Sequence, residues 1–247
     1  MAKPHHLTTP QGRRIAYHQT AGAGPGVMFL GGFKSDMGGT KAMFLAEWAQ
    51  AQGRAFLRFD YSGHGGSSGA FEDGCIGDWV QDALAVLALC TGPQVLVGSS
   101  MGGWIALLLA RAMPDRVAGL VTIAAAPDFT EDSMWAGFSN AQKSTLAGGF
   151  VDLPSDYGAP YRITRRLIED GRRHLVLRAP LALPFPVRML QGTADVDVPM
   201  ERALRLLDHA TGSDIRLTLV KGADHRFSSA ACLAMIGQAV EQVSGGV

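Results

Sequence analysis

Charge of either sign is not in excess in this chain of 247 residues, where 22 Lys and Arg balance 22 Asp and Glu. No global field argues for nucleic acid or a membrane surface as partner. Cysteine is scarce. Cys75, Cys90 and Cys232 are odd in number and share neither Cys-x-x-Cys nor metal-ligand spacing. The expectation is small buried residues in a reducing compartment rather than a disulfide scaffold. No run is apolar and long enough to span a bilayer, so no stable membrane insertion is expected. The first residues, Met1-Ala2-Lys3-Pro4-His5-His6, hold no hydrophobic signal core, and a cytoplasmic protein is the expectation. No His-Glu-x-x-His or clustered His/Cys/Asp set occurs, so no metal is expected. Residues 63–69 are glycine-rich, but no Gly-Lys-Ser/Thr follows. A phosphate cradle, and with it a nucleotide cofactor, is not expected.

What the chain does have is alternation. Residues 5–20 contain a hairpin pattern, 7–9 and 13–20, turning at Pro10-Gln11-Gly12. Short apolar runs at 27–30, 55–59, 94–97 and 117–124 then alternate with helical patterns at 40–52, 76–89 and 104–112. The pattern resumes with strands at 187–190 and 215–220 and helices at 201–209 and 229–243. This predicts an α/β fold: a mostly parallel sheet, helices on both faces, right-handed crossovers. The chain reads as a single domain over 1–247. It is interrupted at about 128–186 by a segment with Trp135, Phe138, Phe150, Tyr157 and Tyr161, expected to be a helical lid over the strand ends. That segment also carries Arg162, Arg165, Arg166, Arg172, Arg173 and Arg178. A solvated helix face partly paired with Glu169 and Asp170 is the first reading, and an anionic-substrate site the second.

One turn bears chemistry. Gly98-Ser99-Ser100-Met101-Gly102 is a Gly-x-Ser-x-Gly between a predicted strand and a predicted helix. In that context the motif is a nucleophile elbow, with its serine lifted from the sheet over a helix N-terminus. Ser100 is then the candidate nucleophile, and Ser99 should point into the sheet. The Met101 amide would face an oxyanion formed on a carbonyl attacked by Ser100. A second oxyanion donor is expected from Gly31-Gly32-Phe33, with the Phe33 amide the candidate.

A nucleophilic serine needs a base, and the base an orienting acid. The loops after strands 187–190 and 215–220 offer Asp195 and His225 in the order the architecture requires. His5, His6 and His18 lie in the hairpin, His174 in the lid and His209 at a helix end. His64 follows a strand, but its Gly-His-Gly-Gly surround reads first as a tight turn. Asp128, Asp197 and Asp224 are rival acids, Asp128 the serious one because it follows an earlier strand. Asp197 is expected to cap the helix after Val198-Pro199.

With these residues in hand, the chain resembles the α/β-hydrolase-fold serine hydrolases over nearly its whole length. A closer likeness runs through Gly39-Thr40-Lys41-Ala42, Arg58-Phe59-Asp60-Tyr61-Ser62-Gly63, Gly92-Pro93-Gln94-Val95 onward to Trp104, and Asp224-His225-Arg226. These segments resemble the family of mitochondrial palmitoyl-protein thioesterases, also known as mycophenolic-acid acyl-glucuronide esterases. The resemblance implies hydrolysis of S-acyl cysteine thioesters and acyl glucuronides, with a triad carried onto Ser100, Asp195 and His225. The expected partner is an acyl ester or acyl thioester, including an S-acylated protein. The expected activity is acyl-protein thioesterase, with general carboxylesterase or acyl-glucuronide esterase as the alternative. Asp would be wanted at the elbow for dehalogenase or epoxide-hydrolase chemistry. A non-catalytic ligand-binding protein on the same fold is the alternative from another class; an incomplete triad would favour it.

Overall fold

The structure is a computed structural model and describes residues 3–154 and 160–245. Tyr157 and the first two residues, named above, lie outside the described residues. The chain begins with an antiparallel hairpin, β1 (His5–Thr8) and β2 (Arg14–Thr20). Its turn closes through Gly12, at φ 83°, and the Thr9 amide donates to Arg13 O at 2.8 Å. Then follow β3 (Ala23–Leu30), α1 (Thr40–Ala51), β4 (Arg54–Phe59), α2 (Ile76–Leu87), β5 (Gln94–Ser99), α3 (Met101–Ala112) and β6 (Val117–Ile123).

The segment between β6 and the next strand of the sheet is only partly helical. It holds a π-helical turn (Thr130–Trp135), α4 (Asn140–Ala147) and a short hairpin, β7 (Phe150–Leu153) with β8 (Tyr161–Thr164). After it come α5 (Arg165–Gly171) and β9 (Leu181–Ala182). The hairpin has a visible cause. Phe150, Val151, Tyr161 and Ile163 are β-branched or aromatic residues in short runs, whereas Ser139 and Gln142 form a capping box that starts α4. The chain then enters β10 (Val187–Gly192), α6 (Met200–His209), β11 (Ala210–Thr211), β12 (Ile215–Val220) and α7 (Ala230–Val243).

The eight-stranded sheet has the order β1-β2-β4-β3-β5-β6-β10-β12. Its first two pairings are antiparallel and the rest parallel. Successive residues of a strand face opposite sides, so each buried strand feeds two cores. Met28 and Leu30 pack with α2 and α3, while Val27 and Phe29 pack with α1 and α7. That two-sided burial is why the strands read as continuous apolar runs. Among the described residues no helix is long and apolar enough to cross a membrane. Cys75 and Cys232 are buried, as expected, whereas Cys90 is only half-buried, and burial pushes the Cys75 thiol up to about 12.

All loops that matter below leave the C-terminal ends of parallel strands, where ligand sites of open α/β sheets form. The insertion is fastened over that end. Asp170 of α5 accepts the Gly77 amide of α2 at 2.7 Å, and the Trp104 indole donates to His174 O at 3.1 Å.

Candidate active site

Ser100 is the single residue between β5 and α3, at φ 54° and ψ −119°. A non-glycine residue in that region is strained and must be held. It is held from both sides: its amide donates to Ile123 O at 2.9 Å, and its carbonyl accepts the Ala126 amide at 3.1 Å. The glycines of the motif are required by close approach. A Cβ at Gly98 would sit 2.4 Å from Gly102 O, and one at Gly102 would sit 2.1 Å from Leu30 O. The helix therefore starts at Met101, three residues before the predicted start, because the elbow needs its N-terminus under the serine. Ser99 is 5% exposed, Ser100 half-buried.

His225 Nε2 lies 3.2 Å from Ser100 Oγ, and His225 Nδ1 lies 2.8 Å from Asp195 Oδ2. The acid and the histidine come from loops after adjacent strands, paired up to Gly192 opposite Val220. Past that pair the loops stay stitched together. The Ala194 amide donates to Ala223 O at 3.0 Å and the Gly222 amide to Thr193 Oγ1 at 2.9 Å. A Cβ at Gly192 would meet Ala223 O at 2.2 Å, so glycine is what lets the two backbones touch.

The Asp195 side chain is buried and fully engaged. Its Oδ1 accepts the Asp197 and Val198 amides at 3.0 and 2.8 Å, and its Oδ2 also accepts Gln191 Nε2 at 3.1 Å. Burial pushes this carboxyl up, but the His225 hydrogen bond, the Val198 amide and the Gln191 amide outweigh it. The net position is below the usual carboxylate range. A hydroxyl, an imidazole and an ionised carboxylate in this order can move a proton off the hydroxyl and hold the resulting imidazolium.

The rival acids are elsewhere employed. Asp128 is fully buried at φ 58°, and its oxygens accept the Val176 amide at 2.8 Å, the Leu177 amide at 3.0 Å and Arg178 at 3.0 Å. It ties the insertion to the end of β6. Asp224 Oδ1 accepts the Phe227 amide of its own turn at 3.1 Å. Asp197 does not cap α6. That helix begins after Pro199 without a side-chain cap, and the Asp197 and Val198 amides just before it are accepted by Asp195. Asp195, Asp197 and His225 together offer three donor atoms within 4.8 Å of one another. The imidazole–carboxylate hydrogen bond and the Asp197 amide on Asp195 Oδ1 already account for that closeness, and the lone pairs of Asp195 are taken.

The rival histidines are also bonded away from Ser100. His209 Nε2 faces the carbonyls of Val176 and Ala179 at 3.1 and 2.8 Å, and His174 Nδ1 faces Asp170 O at 2.8 Å. His64 is buried, between Ser62 O and the Lys34 amide.

The loop of Gly31, Gly32 and Phe33 runs beside the serine: a Cβ at Gly32 would lie 3.5 Å from Ser100 Cβ. Phe33 and Met101 both line, with Ser100 and His225, a cavity of about 660 Å³. Its apolar lining comes from Phe33, Phe129, Met134, Leu153, Tyr161 and Ile163. Its charged lining comes from Asp36, Lys41, Asp197, Arg202 and Arg226. Arg165 and Arg172 do not line it. Arg165 pairs with Glu169 at 3.5 Å on the surface, and Arg172 pairs with Glu131 at 2.7 Å and lies over the Trp135 ring. Among the described residues the cations at the cavity are thus Lys41, Arg202 and Arg226, not the lid arginines singled out from the sequence. The Lys41 ammonium donates to Arg226 O at 2.5 Å, and burial lowers its pKa.

Gln191 was not visible as a functional residue in the sequence. Its signal was present: an uncharged polar residue inside a buried strand, four positions before Asp195. Its Nε2 serves Gly192 O, Val198 O and Asp195 Oδ2 at once, while its Oε1 has no hydrogen-bond partner among the described residues.

Comparison with known proteins places the fold. A family model described as alpha/beta hydrolase family matches residues 27–235. The mitochondrial palmitoyl-protein thioesterase ABHD10 of Rattus norvegicus is 36% identical over 233 residues, covering 93% of this chain and 78% of that protein. The crystal structure of a putative hydrolase from Agrobacterium vitis superposes with a TM-score of 0.94 at 41% identity, covering 98% of each chain. Alpha/beta hydrolase domain-containing protein 10 from mouse superposes with a TM-score of 0.90 at 34% identity, covering 98% of each chain. The chain belongs to the alpha/beta hydrolase family.

Proposed function

We propose that this protein is a serine hydrolase of acyl thioesters or activated carboxylic esters, working through an acyl-enzyme. The observation that carries the reading is the hydrogen-bonded series Ser100–His225–Asp195 opening on a cavity lined in part by apolar side chains. The names of its relatives support a thioesterase or esterase activity. His225 Nε2 takes the Ser100 hydroxyl proton as Oγ bonds to the acyl carbon. The carbonyl oxygen becomes an oxyanion beside the Met101 and Phe33 amides. Collapse of the tetrahedral centre breaks the C–S or C–O bond, and His225 returns the proton to the leaving thiol or alcohol. Water then repeats the sequence on the acyl-Ser100 ester and releases the carboxylic acid. Asp195 fixes the ring tautomer and stabilises the imidazolium.

In this reading the chain acts as one domain, and the insertion at about 128–186 is the lid that supplies Phe129, Met134, Leu153, Tyr161 and Ile163 to the apolar lining. The cations Lys41, Arg202 and Arg226 in the lining favour one second reading, an ester whose leaving group is anionic, such as an acyl glucuronide. A purely ligand-binding role has no need of a serine, a histidine and an ionised acid in hydrogen-bonded series. The test is a panel of acyl thioesters and oxyesters of graded chain length, with an acyl glucuronide included. Higher kcat/KM for long-chain thioesters than for matched oxyesters supports the thioesterase reading. A preference for the glucuronide moves it to the second, and no turnover across the panel contradicts both.

A further inference from the structure

His64 is a buried histidine that the proposed chemistry does not use. Its two ring nitrogens have different partners. Nδ1 lies 3.1 Å from Ser62 O, and Nε2 accepts the Lys34 amide at 3.2 Å. A carbonyl can only accept and an amide N–H can only donate, so the ring is neutral with its proton on Nδ1. Burial lowers its pKa, which keeps it in that form. Tyr61, Phe71 and Trp79 hold the ring edge-on at centroid distances of 5.7, 5.2 and 5.3 Å, and the Trp79 indole donates to the same Ser62 O at 3.1 Å. The acceptor offered to Lys34 is therefore fixed in place.

Lys34 needs such a partner. It sits at φ 60°, a left-handed conformation that a lysine rarely adopts. It is the third residue of the turn Gly32-Phe33-Lys34-Ser35, in which the Ser35 amide and hydroxyl both donate to Gly32 O, at 3.2 and 2.8 Å. Positive φ at the third position is the type II arrangement, usually given to glycine. Rotation of the Phe33–Lys34 peptide would relax it to type I. That rotation would turn the Lys34 N–H away from His64 and bring the Phe33 carbonyl toward Nε2, acceptor against acceptor. The preceding residue is Phe33, whose amide is the proposed second oxyanion donor. Its ring packs on Phe71, Phe129 and Tyr161 at 4.8, 5.6 and 6.2 Å.

From this geometry we infer that His64 is a positioning residue for the hydrolytic reaction: by accepting the Lys34 N–H it locks the Gly32–Ser35 turn and so holds the Phe33 amide at the oxyanion. The inference rests on the proposed serine-hydrolase reading. His64 acts through Lys34 and Phe33 and does not line the cavity. Asp60, which accepts the Met37 amide at 2.6 Å, pins the far end of the same loop, leaving the turn itself to His64.

Two amides separate the functions of the two nitrogens. Gln at position 64 places its oxygen near the site of Nε2 and keeps an acceptor for Lys34. Asn keeps a donor for Ser62 O and ends short of Lys34. The experiment measures kcat, KM and melting temperature for His64→Gln and His64→Asn on one ester. Affinity for a boronic acid, which forms a tetrahedral adduct with the serine, is measured alongside. His64→Asn is expected to lower kcat and boronic-acid affinity by about tenfold to a hundredfold, below the full loss of an oxyanion donor. Its KM should stay within about twofold. His64→Gln is expected to retain most of both. The α-hydroxy-acid analogue of lysine at position 34 puts an ester in place of the Phe33–Lys34 amide. It deletes the same N–H without the fixed negative φ that proline would impose, and should match His64→Asn even if neither amide variant folds. Equal losses in the Asn and Gln variants, or wild-type kcat with the ester at Lys34, would overturn the assignment. Turnover persisting in Ser100→Ala, run beside them, would instead overturn the underlying reading, and the assignment with it.

Discussion

The Asp195 carboxylate meets the His225 ring at 2.8 Å across two loops that leave neighbouring parallel strands. Another buried aspartate at this end of the sheet, Asp128, spends its oxygens on the Val176 and Leu177 amides and on Arg178. The two carboxylates thus have separable tasks. Asp195→Asn should lower kcat by about 10⁴, because an amide favours the wrong imidazole tautomer. Its melting temperature should change little. Asp128→Asn sets an amide NH₂ against a backbone N–H and should cost about 1–3 kcal/mol of stability, with kcat of the folded enzyme nearly kept. Thermal melts and steady-state kinetics on the pair decide this. Collapse of kcat in Asp128→Asn alone would exchange the roles.

Gln191 steadies Asp195 from below. Gln191→Leu removes one donor to Oδ2 but leaves the Asp197 and Val198 amides on Oδ1. Losing that donor raises the Asp195 pKa, since Gln191 is among the groups that hold it down. The kcat loss, about tenfold at neutral pH if one charge-assisted bond is forfeited, should deepen toward acid pH. A pH–kcat profile checks it, and a loss independent of pH would assign Gln191 to packing alone.

The sequence was read correctly where physics is local. The elbow is a strand–turn–helix of glycines around Ser100, and the two-sided burial of the strands makes them plain apolar runs. Asp195 and His225 follow directly from strand ends. What escaped depends on contacts distant in sequence. Asp197 looks like a cap because it precedes Val198-Pro199, yet α6 starts after Pro199 with no side-chain cap, and the inward-turned Asp195 accepts the Asp197 and Val198 amides instead. The arginines of the insertion pair with Glu169 and Asp170 as first read, and with Glu131 besides; what the sequence did not show is that the fold brings Lys41, Arg202 and Arg226 to the cavity. His64 reads as part of a turn because its partner, Lys34, lies thirty residues earlier.

Those paired arginines give a prediction of indifference. Arg165→Ala and Arg172→Ala should leave KM for an acyl glucuronide and for a neutral ester changed by the same small factor, within about twofold, as expected for exposed ion pairs worth little. A selective rise for the glucuronide would return these residues to the substrate.

The lid fastening by Asp170 and His174 should be pH-dependent. Burial pushes the Asp170 carboxyl up, but its bonds to His174, Arg173 and the Gly77 amide hold it well below the ordinary 3.8. The hydrogen bond to Asp170 raises His174 above the ordinary 6.5. A carboxyl held low contributes stability above its unfolded pKa, lost as pH falls through the folded value. A histidine held high contributes below its unfolded pKa, lost as pH rises through the folded value. The joint contribution is greatest between about pH 4 and 6.5. The melting-temperature gap between wild type and Asp170→Asn should be widest there and narrow on both sides. A gap that is flat with pH would show that the pair does not titrate with folding.

The central claim is that Ser100 forms the acyl-enzyme, and covalent trapping reads it out most directly. Wild type and Ser100→Ala are treated with a fluorophosphonate, weighed as intact proteins and mapped by peptide digestion. The expected result is one adduct per wild-type chain, on the peptide carrying Ser100, and none in Ser100→Ala, whose turnover falls by about 10⁶. An adduct that persists in Ser100→Ala, or that maps to Ser99, would contradict the claim.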